Sequence, residues 1–230
     1  MPRAGRRLAL LAAALAGAVA GCGDEGEPVD AAQARAAQKA AGHELYWVGE
    51  RFAGLVLSGV VRNGFATTFA YGTCKPAGGE GGCAPPLQIQ TSPICADNAL
   101  VLDVRPRATF TARKTPVRDY GEGRLELDAA SSHVRVFAQG GRGRRAIAVL
   151  RPVSGSQRVT ARLPAARYPN GYLAELRRVV ALYERGGSLR GVRAELGISV
   201  SAVRFRLALA RELGPAGLRG RGVPCDHPPG

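Results

Sequence analysis

Five cysteines offer the most versatile chemistry in this chain, at positions 22, 74, 83, 95 and 225. A cysteine thiolate can bind a metal, and the thiol can form a disulfide or carry a covalent group. Structural zinc sites usually contain a close Cys-x2-Cys pair, and none of the spacings here provides one. The histidines, at positions 43, 133 and 227, show no ligand spacing either. We therefore predict no metal and no cofactor.

The segment before Cys22 is typical of an export signal. Arg3, Arg6 and Arg7 form a basic start, and residues 8–20 are apolar and uncharged. That length suits the hydrophobic part of a signal peptide but is too short to span a membrane as a helix. No later segment has the run of about 18 uncharged apolar residues that a membrane-spanning helix needs, so we predict no membrane span after the signal peptide.

The sequence Val19-Ala20-Gly21-Cys22 resembles the lipobox of bacterial lipoproteins. The resemblance implies that residues 1–21 are a signal peptide, cleaved before Cys22, and that the Cys22 thiol carries a lipid. Each buried methylene of an acyl chain such as palmitate contributes about 0.8 kcal/mol, so two or three chains give lasting membrane attachment. The alternatives are an ordinary signal peptide with a chance cysteine, or a start codon assigned too early.

If Cys22 is lipidated, an even number of cysteines remains: Cys74, Cys83, Cys95 and Cys225. An even number in an exported chain predicts two disulfides, with three possible connectivities. We favour pairing Cys74 with Cys83, across a glycine-rich loop, and Cys95 with Cys225, which would hold the tail. Closing so short a loop would stabilise the fold by about 2–3 kcal/mol.

The chain contains no convincing catalytic set. There is no Gly-x-Ser-x-Gly elbow, no His-Glu-x-x-His and no phosphate-binding glycine loop. Ser132 and His133 are neighbours in sequence, but neighbours on a strand point to opposite faces and cannot form a dyad. We therefore predict no catalytic residues.

The charge of the chain is strongly positive, with a net value of +14. Of 32 basic residues only Lys39, Lys75 and Lys114 are lysines, a bias typical of a GC-rich genome. Residues 154–230 carry 13 basic and 5 acidic groups. Such a basic segment suits nucleic acid, anionic lipid or an acidic polymer, and it also suits a simple solvated surface.

Residues 43–153 show mainly strand patterns. Short β-prone or alternating segments are predicted as strands at 44–48, 55–61, 67–71, 87–90, 125–127 and 134–137. The period changes at Arg142, where Ala146, Val149 and Leu150 follow at helical spacing and Pro152 ends the helix. We predict an α+β fold: an antiparallel sheet with one or two covering helices, followed by a small three-helix C-terminal module.

This central part resembles uncharacterised lipoproteins of GC-rich bacteria. The resemblance rests on three segments: Tyr46-Trp47-x-Gly49, Thr68-Phe69-x-Tyr71-Gly72-x-Cys74, and Gly82-Cys83-Ala84-Pro85-Pro86-Leu87. It covers about half of the chain and implies no activity.

Three helical patterns follow a predicted linker at residues 154–168. The first carries an apolar stripe from Leu173 to Tyr183, the second begins at Ser188 as N-cap, and the third ends at Gly214-Pro215. Residues 188–207 resemble the helix-turn-helix of bacterial DNA-binding proteins. The match rests on the apolar and turn positions of that family: Val192, Leu196, Gly197, Ile198, Ser199 and Val203.

The helix-turn-helix resemblance implies that the third helix enters the major groove of DNA. It implies that Ser199, Ser201 and Arg204 face base edges. It places Arg190, Arg206 and Arg211 nearer to phosphates. Arg193 departs from the family pattern, which prefers alanine there, and its side chain would either widen the angle between the helices or extend outward.

The predicted organisation has six parts: signal peptide 1–21, lipid-anchored flexible tether 22–42, disulfide-stapled domain 43–153, linker 154–168, helical module 169–214 and tail 215–230. A lipid-anchored chain with no span lies outside the cytoplasm, away from the chromosome. The first functional hypothesis is a non-enzymatic, membrane-anchored envelope protein that binds an anionic polymer or another envelope protein. The alternative is a DNA-binding protein with a mis-assigned or uncleaved N-terminus, and a third is an envelope enzyme with an unrecognised site.

Overall fold

A computed structural model describes residues 29–72, 84–94, 106–155 and 158–219. The fold is α+β, as predicted. Its strands are β1 (Tyr46–Trp47), β2 (Arg51–Phe52), β3 (Leu55–Asn63), β4 (Ala66–Tyr71), β5 (Leu87–Pro93), β6 (Ala108–Ala112), β7 (Thr115–Gly121), β8 (Arg124–Ala129), β9 (Ser132–Ala138) and β10 (Arg151–Pro152). The helices are α1 (Ala31–Ala41), α2 (Arg142–Val149), α3 (Asn170–Glu184), α4 (Leu189–Leu196) and α5 (Val200–Arg219).

Eight strands form one antiparallel sheet in the order β2-β3-β4-β5-β9-β8-β7-β6. It consists of two four-stranded meanders joined where β5 pairs with β9. A hairpin between β6 and β7 turns through Arg113 and Lys114. Strands β1 and β10 form a separate two-stranded ribbon.

The main core lies on one face of the sheet. Alternate residues of the central strands, such as Ile89, Leu127 and Val136, are fully buried there. Helices α1 and α2 and the β1–β10 ribbon cover them, and Trp47 of the ribbon packs 6.1 Å from Phe69, centroid to centroid. Helix α2 is the covering helix predicted from Arg142, whereas α1 lies in a segment that was predicted as a tether. Of the predicted strand 44–48, only β1 forms.

Helix α1 belongs to the folded domain, whereas residues 22–42 were expected to form a tether. Asp30 caps the helix through a hydrogen bond from the Gln33 amide, and Ala34 is fully buried in the core. The amide of Val29 also donates to the Leu57 carbonyl over 3.1 Å. The sequence prediction was wrong here because small alanine side chains pack closely on a sheet without a conspicuous apolar stripe.

The expected linker is likewise part of the fold. Leu163 is buried in the main core, and its amide donates to the Arg113 carbonyl over 3.2 Å. The amide of Ala130 donates to the Pro164 carbonyl over 3.3 Å, and the amide of Arg167 donates to the Ala130 carbonyl over 2.6 Å. We call residues 158–168 the strap, because they bind the ends of two hairpins and lead into α3.

Helices α3, α4 and α5 form the predicted three-helix module. Val179, Leu182, Val192 and Val203 pack at its centre. Helix α5 is kinked at Gly214 (φ 65°), directly before Pro215, which agrees with the predicted helix end. Within the described residues, no helix has the length and apolar character needed to cross a membrane, and no cluster of potential metal ligands occurs.

Candidate anion-binding groove

The sheet face opposite the core is polar, because polar residues alternate with the core residues in β5, β7, β8 and β9. Strand register aligns these residues across the face: Gln90 is opposite Arg135, which is opposite Glu126, and Glu126 is opposite Arg118. In the next row Ser92 is opposite His133, which is opposite Asp128. The face therefore carries two rows of polar and charged groups.

Asp128 is the centre of a buried charged network on this face. Its Oδ2 accepts from the Arg118 guanidinium over 2.9 Å and from the Tyr168 hydroxyl over 2.8 Å. Its Oδ1 lies 2.6 Å from His133 Nδ1, and the other ring nitrogen, Nε2, lies 3.4 Å from Glu126 Oε2. The network therefore joins three strands and the strap.

The electrostatics of the network favour the charged forms. Burial alone would lower the pKa of His133, but the Asp128 and Glu126 carboxylates raise it to about 9. Burial alone would raise the pKa of Asp128, but Arg118 and His133 hold it far below its usual range. A histidine kept protonated between two carboxylates cannot accept a proton at neutral pH, so this arrangement does not provide a general base.

Ser132 and His133 point to opposite faces of β9, as the alternation of side chains along a strand predicts. The Ser132 hydroxyl donates to the Glu44 carbonyl over 2.6 Å on the core side, while His133 joins the charged network. These two residues therefore cannot act together.

The three-helix module packs against the polar face. The guanidinium of Arg118 lies 5.5 Å from the ring centroid of Phe205 in α5. Tyr168, Tyr172 and Leu209 pack with Ile94, directly after β5, in a second apolar cluster. The helices are thus fixed to the sheet by both an aromatic cluster and a cation–π contact.

An open groove of about 670 Å³ lies between α5 and the β6–β7 hairpin. Four arginines line it: Arg107, Arg118, Arg204 and Arg211. Glu212 is the one acidic residue among the described residues that line the groove. Burial raises the pKa of Glu212, while the charge of Arg118 lowers it. Arg118 is already paired with Asp128, but Arg107, Arg204 and Arg211 together outnumber Glu212, so the groove suits an anionic ligand.

Residues 188–207 form α4, a turn and the first part of α5. The Ser188 hydroxyl caps α4 at the Gly191 amide, and the Ser199 hydroxyl caps α5 at the Ala202 amide. Gly197 adopts the left-handed conformation (φ 66°) that the turn requires. Arg193 is exposed, so its side chain extends outward.

The residues expected to contact DNA do not share one free surface. Ser201, Arg204 and Arg211 line the groove and face the hairpin. Arg190 and Ser199 border a separate depression of about 520 Å³ at the turn. A recognition helix must enter a groove of DNA about 12 Å wide. Here the side of α5 that carries Ser201, Arg204 and Arg211 borders the sheet, which limits the access of DNA to this side of the helix.

The role expected for Arg206 is revised by the structure. Its side chain is 7% exposed, and a guanidinium nitrogen lies 2.9 Å from Glu175 Oε1 in α3. Arg206 therefore connects two helices from inside the module and does not reach a phosphate.

The cysteines at positions 22, 74, 83, 95 and 225 all lie outside the described residues, as does the segment 1–28. The lipobox and the two disulfides therefore stay predictions. The tail expected at 215–230 begins inside α5, and its residues 220–230 also lie outside.

Sequence reasoning missed Arg107, Arg118, Asp128 and Tyr168 as site residues. A signal for Asp128 was present, because Leu125-Glu126-Leu127-Asp128 continues the alternation and places two acids on the face away from the core. No comparable pattern marks Arg107 or Tyr168.

Comparison with protein-family models, curated proteins and solved structures finds no match to this chain. Functional inference therefore rests on the groove and on the residues of the chain itself.

Proposed function

We propose that this chain is an exported, non-enzymatic binding protein of the cell envelope, anchored through a lipid on Cys22. Its folded part binds an anionic ligand in the groove between α5 and the β6–β7 hairpin. The observation that carries the proposal is the set of three exposed arginines around this groove, Arg107, Arg204 and Arg211, opposed by Glu212 alone among its described lining residues.

The inner wall of the groove is rigid, which favours binding. Arg118 is 6% exposed and is held by both Asp128 and Phe205. A guanidinium fixed in this way loses little side-chain freedom when a ligand arrives. Arg107, Arg204 and Arg211 are exposed and can adjust to the ligand.

The position of the folded domain suits a role at the membrane surface. Only seven residue steps separate Cys22 from Val29, whose amide is bonded to β3. A fully extended chain covers about 3.6 Å per residue, so the anchor and the domain would be no more than about 25 Å apart.

The anchor is tested by labelling cells with a radioactive fatty acid. The wild-type chain should be labelled, and Cys22→Ala should not. A C-terminal reporter that is active only outside the cytoplasm should be active on the wild-type fusion. Equal labelling of both chains, or a silent reporter, would remove this part of the proposal.

The groove is tested by binding of the full chain, in detergent, to fluorescent poly-L-glutamate. Replacing Arg204 and Arg211 by alanine should weaken binding by about tenfold, because two charge contacts are lost. The matched control replaces Arg62 and Arg145, which are also exposed but lie away from the groove. If the two double variants weakened binding of poly-L-glutamate equally, the attraction would be nonspecific, and the proposal that the groove is the binding site would be overturned.

DNA binding through residues 188–207 is the second candidate. The observation that favours it is the capped helix-turn-helix geometry, with Gly197 in the left-handed conformation. DNA binding through this motif requires both Arg190 and Arg204. Of these two arginines, ligand binding in the groove requires Arg204 and does not involve Arg190. Duplex binding that falls steeply with salt and weakens in Arg190→Ala would favour the DNA candidate.

A further inference from the structure

We propose that the ligand of this groove is an extended acidic peptide that pairs with β6 as an additional strand. This inference rests on the proposed anion-binding groove and names its ligand class. Proteins commonly bind extended peptides at a sheet edge, where main-chain hydrogen bonds give affinity and alternate side chains give specificity.

Strand β6 is an outer strand of the sheet, and within the described residues it pairs with β7 alone. The two-residue turn makes Ala112 and Thr115 a hydrogen-bonded pair. Along an antiparallel hairpin such pairs alternate with pairs that are not hydrogen-bonded to each other, and Thr109 and Thr111 belong to this second kind. The amides and carbonyls of Thr109 and Thr111 therefore point away from β7. They form a row of main-chain donors and acceptors at this edge.

The two edges of the sheet differ in how they are protected. Strand β2, at the opposite edge, has two residues, Arg51 and Phe52. Short strands and charged residues are common devices against unwanted strand pairing. Strand β6 has five residues, Ala-Thr-Phe-Thr-Ala, without a charge or a proline. Its sequence thus leaves it competent to accept a further strand.

The groove continues from this edge. Ala108 and Thr109 of β6 line one wall, and residues from Ser201 to Glu212 of α5 line the other. Eleven helical steps at about 1.5 Å extend over about 17 Å, which is the length of about five strand residues at about 3.3 Å each. The two lengths are therefore comparable, and an added strand along β6 would meet α5 where Ala108 and Thr109 line the groove.

The charges of the groove determine which peptide fits. Thr109 is directly opposite Arg118, so its side chain points to the polar face and towards the module. Every second side chain of an added strand would point to that face as well, towards Arg118, Arg204 and Arg211. Acidic residues at alternate positions would meet these arginines, and neutral residues would suit the positions between them.

The probe is a blocked seven-residue peptide that alternates aspartate with valine, titrated against the full chain in detergent. Two analogues carry methyl groups on the aspartate amides or on the valine amides, with charge unchanged. Only one of these two sets of amides faces β6. If the peptide pairs antiparallel to β6, the aspartate amides face the edge; if it pairs parallel, the valine amides do. One analogue should therefore bind about tenfold or more weakly, while the other binds like the parent.

Variants of the edge provide the second arm. Thr109→Pro removes an outward amide and Thr109→Val keeps it, so the proline variant should bind the parent peptide about tenfold more weakly than the valine variant. If Thr109→Pro lowers the melting temperature of the protein, the same comparison is made at the other outward-facing position, with Thr111→Pro and its control Thr111→Val. Proline is tolerated in edge strands where its nitrogen faces outward.

The outcomes separate the two proposals. Strand addition is overturned if both methylated peptides bind like the parent peptide and the proline variants bind it like their valine controls. If binding still requires Arg204 and Arg211 in that case, the anion-binding groove stands. If peptide binding is indifferent to Arg204 and Arg211 as well, both proposals fail. Binding of polyphosphate but not of any peptide also overturns strand addition.

Discussion

The hydroxyl of Tyr168 donates a hydrogen bond to Asp128 Oδ2 over 2.8 Å, and so connects the strap to the polar face of the sheet. The same oxygen accepts from Arg118, which packs on Phe205 of the helical module. Sheet, strap and module therefore meet at one carboxylate. The groove that we propose as the binding site depends on this junction, because Arg118 forms part of its wall.

Tyr168→Phe should lower the free energy of unfolding by about 1.5–3 kcal/mol, since a buried hydrogen bond to a charged group is lost. Urea unfolding measures the change, and Tyr183→Phe, at an exposed tyrosine, is the matched control. In a double-mutant cycle with Asp128→Asn, the two changes should couple by at least about 0.5 kcal/mol. Strict additivity would contradict the contact.

The pH dependence of stability should contain a contribution from His133. Burial alone would lower its pKa, but Asp128 and Glu126 raise it from 6.5 to about 9. Because the pKa is higher in the folded state, this stabilisation is complete below pH 6.5 and is lost as the pH rises through 9. Its size is about 3 kcal/mol, at about 1.4 kcal/mol per tenfold change in proton affinity.

The measurement compares wild type with His133→Gln, so that other titrating groups cancel. The difference in free energy of unfolding should be largest at and below about pH 6.5, should shrink as the pH rises from 6.5 to 9, and should then level off. A difference that stays constant between pH 6 and pH 10 would show that folding does not raise the pKa of His133, and would contradict its place between two carboxylates. Direct NMR titration of the imidazole, with a midpoint near pH 9, checks the same point.

The strap gives a test of domain organisation. Leu163→Ala should destabilise the fold by about 2–5 kcal/mol, because it leaves a cavity in the main core. Val159→Ala, at a position that is 39% exposed in the same segment, should change stability by less than about 0.5 kcal/mol. Chemical denaturation decides the matter, and near-zero effects of both changes would restore the interpretation of residues 154–168 as a linker.

Much of the sheet could be predicted because its strands alternate cleanly. In 87–90, 125–127 and 134–136 the apolar members reach the core and the polar ones lie on the opposite face, where Phe137 also lies, opposite Gln88. The β6–β7 hairpin escaped prediction because its turn lacks the usual asparagine or glycine. Arg113 and Lys114 instead adopt positive φ angles of 50° and 59°. Hydrogen bonds from the Arg113 side chain to Thr160 stabilise this conformation, and they are visible only in the tertiary structure.

The groove could not be predicted for a different reason. Arg118 and Arg204 are far apart in the sequence, and their proximity depends on how the module packs on the sheet. The helical pattern correctly predicted the helices, the cap at Ser188 and the turn at Gly197, but not the cap that Ser199 provides. The same pattern could not indicate that Ser201 and Arg204 would face a strand of the same chain.

Arg206 and Arg211 have the same side chain on the same helix but should respond in opposite ways to substitution. Arg206→Ala removes a buried partner of Glu175 and should lower the free energy of unfolding by about 1–3 kcal/mol. Arg211→Ala removes an exposed side chain from the groove and should change stability by less than about 0.5 kcal/mol, while it weakens poly-L-glutamate binding.

The opposite pattern would contradict this division of roles. If Arg206→Ala weakened polyanion binding without any loss of stability, its side chain would have to leave Glu175 and reach the surface in solution. Glu175→Gln separates the possibilities, because it should reproduce the instability of Arg206→Ala and leave binding unchanged. Urea unfolding and fluorescence titration on the same preparations provide both measurements, and they would show whether the helical module uses its outer arginines for ligand and its inner arginine for packing.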